Sequence, residues 1–192
     1  MLVALVFFPL LALAAETEKK EEAPVGISIE TQVVGNTRPS KTDAWYESPV
    51  KGSLGLFGSA GRWLDGYQFV CGGPTWKPIS WLKVGLGFGA EQAALGEGRN
   101  IFFRGAGFLE VSVGKFNAFA LFEQGGTGPW HKATVDYQII DKISLGVMSE
   151  TNVGIGPRIG YNLGKGYKVW GAVARDRDDR SYTPIFAINY SF

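Results

Sequence analysis

From residue 25 to its last residue, the chain repeats short segments in which apolar positions alternate with polar or small ones, each bounded by glycine, proline, asparagine or charged pairs. Successive side chains of a strand point to opposite faces, so a period of two predicts a strand with one greasy and one polar wall. Twelve such segments can be drawn: 25–34, 43–50, 53–61, 67–76, 82–91, 101–113, 116–124, 131–140, 143–150, 153–163, 167–175 and 182–192. The segment 82–91 is very regular, with Leu82, Val84, Leu86, Phe88 and Ala90 opposite Lys83, Gly85, Gly87, Gly89 and Glu91. Gly72, Gly73 and Pro74 are expected to interrupt the fourth segment, and 92–100 and 175–180 to form surface loops. Gly164, Lys165 and Gly166 predict a tight hairpin, because glycine enters the positive-φ region that such turns require.

In the last segment Tyr182, Phe186, Ile188, Tyr190 and Phe192 share one face, while Thr183, Ala187, Asn189 and Ser191 share the other, with Ile185 the apolar exception. A chain that ends on an aromatic of the apolar face resembles the C-terminal assembly signal of bacterial outer-membrane β-barrels, carried here by Phe186, Ile188, Tyr190 and Phe192. The resemblance implies an all-β fold over residues 25–192: a transmembrane, antiparallel, up-and-down barrel in the bacterial outer membrane. Outer-membrane lipid and the barrel assembly machinery are its implied partners. The other end of the chain agrees. Residues 1–15 carry an apolar stretch that ends in small residues and fits a secretory signal peptide cleaved near Ala14 or Ala15, although no Lys or Arg precedes it. Residues 16–24 then form a polar tail.

Both ends of such a barrel lie on the periplasmic side, so the strand number is even. Twelve strands follow from the segments as drawn, ten if 43–50 and 53–61 form one bent strand plus a loop, and eight if the strands are much longer. Counting back from Phe192, the short connections near Gly164, Asp141, Gly114, Ile79 and Lys51 fall on the periplasmic side, and most connections on the other side are longer and more polar. Trp76, Trp81, Tyr161, Tyr167, Tyr190 and Phe192 cluster at the periplasmic strand ends, where amphipathic rings favour the headgroup level. Trp45, Trp63 and Trp130 are expected near the opposite ends.

Composition narrows the function classes. With 19 basic and 18 acidic residues the net charge is +1, which gives no basic surface for nucleic acid. Mean hydropathy is +0.02, as expected when lipid-facing apolar and lumen-facing polar residues average out. The single Cys71 can form no intramolecular disulfide and is expected as a small apolar wall residue.

Mechanism then rests on the inward face. Its predicted pore-lining charges are Lys83, Glu91, Arg104, Glu110, Lys132, Asp136, Arg158 and Lys168, joined by Glu30, Glu47, Glu123, Lys142, Glu150 and Asp176. Acids and bases nearly balance, so no single-sign field selects anions or cations. Small twelve-stranded porins for acidic oligosaccharides are similar in length, but the resemblance implies rows of basic residues, whereas here the bases are offset by nearby acids. Gly85, Gly87, Gly89, Gly154, Gly156 and Gly160 leave inner surface bare, either for solute or for Phe102, Phe108, Phe119 and Trp170 to fill. These features favour a small passive channel for small polar solutes, monomeric or trimeric, over a non-conducting adhesive barrel. A third option is a lipid acyl hydrolase built on His131, with Ser149 as nucleophile and Glu123 or Glu150 as the carboxylate. No motif surrounds those residues, and parity turns His131 toward lipid, so the expectation is a non-enzyme. No cofactor, metal cluster or phosphate loop is predicted, because Gly85, Gly87 and Gly89 lie within a strand.

Overall fold

The computed structural model describes residues 26–35, 39–95, 98–176 and 180–192, so the expected signal peptide and polar tail lie outside the described residues. Twelve antiparallel strands close on themselves. They are β1 (Gly26–Val34), β2 (Lys41–Lys51), β3 (Leu54–Trp63), β4 (Gln68–Ile79), β5 (Leu82–Leu95), β6 (Gly98–Val113), β7 (Phe116–Gly125), β8 (Gly128–Ile140), β9 (Ile143–Glu150), β10 (Gly154–Gly164), β11 (Tyr167–Arg175) and β12 (Tyr182–Ser191). Each strand pairs with its sequence neighbours. The seam is closed by β1 on β12, running from Ser28 opposite Ser191 to Val34 opposite Ile185. Closure leaves no unpaired edge and satisfies every strand within the wall, the condition for crossing a bilayer with strands.

The greasy wall is the outer one. On β5 and β6, Leu86, Phe88, Ile101 and Phe103 are each about two-thirds exposed or more (67%, 66%, 72% and 68%), and the Phe88 and Phe103 rings stack with centroids 5.7 Å apart. Similar rows continue around the barrel through Leu145 and Val147, Ile155 and Ile159, and Phe186 and Ile188. A continuous apolar surface of this extent is incompatible with water and suits lipid. Outward rings gather at the end that carries Gly26 and Phe192, the terminal end of the described residues. Tyr167 lies 4.3 Å from Tyr190, which lies 4.4 Å from Phe192, and Phe116 lies 5.8 Å from Tyr137.

At that terminal end the connections span two residues each, as at 114–115 and 165–166. Gly164, Lys165 and Gly166 turn with φ of 82°, 52° and 82°, the left-handed hairpin that their composition predicts. The opposite, loop end departs from expectation. The surface loop expected at 92–100 is mostly ladder, since β5 and β6 pair as far as Leu95 and Gly98. Small residues such as Ala93, which is buried facing inward, blur the apolar–polar contrast there. Nor does β4 break at Gly72, Gly73 and Pro74. Gly72 pairs with Phe88 and Thr75 with Gly85 in one register, so the strand passes through its proline.

Candidate functional site

The interior is built by glycines that let large rings lie flat against the wall. Trp45 (β2), Phe57 (β3), Phe108 (β6) and Phe119 (β7) point inward and pack together: Trp45 is 5.1 Å from both Phe57 and Phe108, and Phe108 is 6.1 Å from Phe119. Their footing is the bare β5 face. A Cβ on Gly85 would overlap the Phe108 ring, and one on Gly87 would lie 2.6 Å from Phe57 Cζ. Cys71, Ala106 and Leu121 complete this cluster. A second apolar patch, Val34, Met148, Trp170, Ala172, Ile185 and Ala187 among others, lines the inward side of the wall from β9 round to β1. The inner face is therefore part greasy. Cys71 packs there as a small apolar residue of the wall, and the expected places of the indoles are corrected. Trp45 fills the lumen instead of marking a rim. Trp130 and Trp63 also turn inward, where Lys41 lies over their rings at 4.8 and 5.4 Å. Parity with Asp43 and Glu47 on one strand, and with Lys132 on another, carries the signal for Trp45 and Trp130; their indoles belong to the lumen as those charges do.

Around the rings runs a set of ion pairs. Lys83 bridges Glu47 (2.7 Å) and Glu110 (2.8 Å), and Glu47 also accepts the Trp45 indole N–H at 2.7 Å. Lys132 meets Glu30 at 2.6 Å, and Glu30 further accepts Gln32 Nε2 (2.7 Å) and Trp170 Nε1 (2.8 Å). Arg158 pairs with Asp136 at 3.2 Å and lies 4.3 Å over the Trp170 ring. Lys168 also points inward and makes no ion pair among the described residues. Lys142 sits exposed in the β8–β9 turn and leaves the inward set. Lys41, in a stretch expected to be loop, instead opens β2 and is buried against Glu150 at 2.6 Å.

Toward the loop end, Arg104 is held between Glu91 and Glu123, and all three side chains are almost completely buried. Glu91 also ties the rim together: it accepts the Tyr67 hydroxyl at 2.9 Å, and the Thr127 N–H and hydroxyl at 2.8 and 3.1 Å. Tyr67 comes from the β3–β4 connection and Thr127 from the β7–β8 turn, so one carboxylate fastens two connections over the mouth. Buried ionic groups persist only when paired and hydrogen-bonded.

Two cavities lie within this interior among the described residues. One, about 300 Å³, extends from Ser28 and Asn189 near the terminal rim up to Trp63 and Tyr67. The other, about 320 Å³, opens among Asp65, Thr127, Pro129 and Asn152 at the loop rim. Both are lined by Trp63, Tyr67, Arg104 and Trp130, so they abut at that layer. The lower cavity is faced by five carboxylates (Glu30, Asp43, Glu47, Glu110 and Glu123) and three cations (Lys41, Arg104 and Lys132). Its buried Asp43 Oδ1, Glu123 Oε1 and Trp130 Nε1 have no hydrogen-bond partner among the described residues, which suits a hydrated path.

His131 lies on the other side of the wall. Its ring contacts Ser149 and Thr151, whereas Glu123 and Glu150 face inward and cannot act as its carboxylate.

No protein-family model matches the chain, and no curated protein sequence matches it. Solved structures do resemble it. A KdgM porin in complex with disordered oligogalacturonate is 14% identical, with 88% of this chain and 99% of that chain covered and a TM-score of 0.56. NanC porin is 10% identical, with 86% and 98% covered and a TM-score of 0.54. Outer membrane phospholipase A from Escherichia coli is 9% identical, with 87% and 88% covered and a TM-score of 0.53. Porins and a phospholipase thus share the architecture, and fold alone does not decide between their functions. What these likenesses and the topology establish together is the fold: a closed twelve-stranded barrel of the outer-membrane, porin-like type.

Proposed function

We propose that the protein is a narrow passive channel of the bacterial outer membrane, passing small polar solutes between the loop rim and the terminal rim. The observation that carries this is the pair of cavities, which together reach from one rim to the other and abut at the layer of Trp63, Tyr67, Arg104 and Trp130. Twelve strands leave room inside for such a path, whereas eight are filled by their own side chains. The rings on Gly85 and Gly87 narrow the path without closing it. Lys83, Glu91, Arg104, Glu110, Lys132, Asp136, Arg158 and Lys168 line or brace it. The outward Phe186, Ile188 and Tyr190 of β12, with Phe192 just after it, serve as the signal read by the barrel assembly machinery.

With Lys83 bridging Glu47 and Glu110, five carboxylates face four cations around the lower cavity, a balance that offers no row of bases to a polyanion such as oligogalacturonate and gives small cations a mild advantage. Purified protein refolded into planar bilayers should show small, discrete current steps, with a reversal potential in a KCl gradient that has the sign of potassium permeation. Bilayers that stay silent at every voltage would leave a sealed barrel and end the channel proposal.

A further inference from the structure

The geometry points to a second, chemical function on the outside of the barrel: an acyl-ester hydrolase site formed by Ser149, His131 and Thr151 at the lipid-facing rim. His131 (β8) and Ser149 (β9) both point outward, in the rows that continue as Ala133 and Val135 and as Val147 and Leu145. His131 Nε2 is 3.1 Å from Ser149 Oγ, and Nδ1 is 2.8 Å from Thr151 Oγ1. A nucleophile, a base and a group that orients the base are therefore in line within hydrogen-bond reach.

Thr151 is fixed from two sides. Its hydroxyl oxygen accepts the His131 backbone N–H at 2.8 Å, and its own N–H donates to the His131 carbonyl at 2.9 Å. A hydroxyl oxygen has a second lone pair, which takes the ring Nδ1–H; the Nε2 lone pair is then left to accept the Ser149 proton. The surroundings suit a lipid ester. Across the ladder, Phe122 lies opposite His131 and Ile155 opposite Ser149, and both are exposed and apolar. The trio sits at the loop-end strand termini, the level at which a bilayer presents its ester carbonyls. A joined histidine and serine on a lipid-facing surface are costly to place there, and such placements mark function; Thr151 holds them from the loop rim, where it also borders the upper cavity.

Ser149 Oγ attacks the acyl carbonyl carbon while its proton passes to His131 Nε2. The imidazolium returns that proton to the departing alcohol oxygen as the carbon–oxygen ester bond breaks, which leaves the acyl group on Ser149. Water, deprotonated by the same nitrogen, then attacks the acyl-serine; the fatty acid departs and Ser149 regains its proton. Ser149 and His131 are the catalytic residues, and Thr151 is a positioning residue. A neutral hydroxyl supports the imidazolium less than a carboxylate does, so turnover is slow.

The inference rests on the outer wall being lipid-facing, so its test separates the chemistry from the membrane. Full-length protein in detergent micelles is assayed on water-soluble p-nitrophenyl butyrate and on micellar dioctanoyl-phosphatidylcholine, and is labelled with a serine-directed fluorophosphonate. The expected result is hydrolysis of both esters and a single adduct on Ser149, with Ser149→Ala and His131→Gln lowering the rate by about 10²-fold or more. Thr151→Val should shift the pH–rate profile and lower kcat with little change in KM, and Thr151→Ser should restore both. The bilayer conductance of Ser149→Ala should equal that of wild type. Folded wild-type protein that neither takes the label nor releases product above the detergent blank overturns the proposal; so does hydrolysis that survives Ser149→Ala. Either result leaves the channel untouched.

Discussion

Replacing Arg104 with alanine is expected to cost the barrel about 3–5 kcal/mol and, in the fraction that folds, to enlarge the current steps. The guanidinium is the shared partner of Glu91 and Glu123, both buried in the wall, and truncation leaves two carboxylates facing each other without a cation. Removing one member of a buried ionic set leaves an uncompensated charge, a penalty of that size. The same truncation widens the layer where the two cavities abut. It also loosens Glu91, which fastens Tyr67 and Thr127 over the mouth, so two effects raise conductance together. Urea unfolding in micelles reads the first effect and unit conductance the second. Arg104→Lys should recover part of the stability, because an ammonium can satisfy one carboxylate but does not span both as a planar fork does. A variant as stable as wild type, with unchanged steps, would show that the triad neither holds nor limits the lumen.

The second large effect is expected from the aromatic filling. Phe57→Ala with Phe108→Ala removes two rings that meet edge to face at 5.1 Å, together with the contacts both make with Trp45. A buried Phe→Ala change costs about 3–5 kcal/mol. The pair shares Trp45, so the double variant should lose less than the sum of the two single variants. Gly85 and Gly87 offer no side chain to close the gap, so the space stays open to water and unit conductance should rise clearly above that of either single variant. Conductance unchanged in the double variant would mean that ions do not pass this side of the lumen.

Much of this architecture was legible in the chain because lipid outside and water inside impose a strict period of two. The expected segments 143–150 and 167–175 coincide with β9 and β11, and the seam strand 182–192 differs from β12 only at its last residue. The pattern misled where contrast was low or where the inner wall is itself apolar. Residues 92–100 lacked contrast: Ala93 and Ala94 hid the end of β5, and Gly98, Arg99 and Asn100 hid the start of β6. The preference of indoles for interfaces predicts a rim for Trp45 and Trp130, yet parity with Asp43, Glu47 and Lys132 turns them inward. Lys41 stood in a polar stretch that read as loop, and no local signal marked it as the buried partner of Glu150. Parity did turn His131 toward lipid, and Ser149 stands beside it as expected, but the Thr151 contact could not be read from the chain. Ser149 is 18 positions away and meets His131 only through the β8–β9 register, while the carboxylates expected to assist it lie across the wall.

The central claim is that the outer wall meets lipid and the inner wall meets a passing solute. It is tested most directly by current recording on cysteine variants in a Cys71→Ser background, with a charged thiol reagent that does not cross lipid. Ser59 faces the lower cavity and Val147 faces outward. The account predicts that the reagent cuts the current through the Ser59→Cys barrel stepwise and leaves that through Val147→Cys unchanged. Equal insensitivity of both conducting variants, or block at Val147→Cys alone, would contradict it.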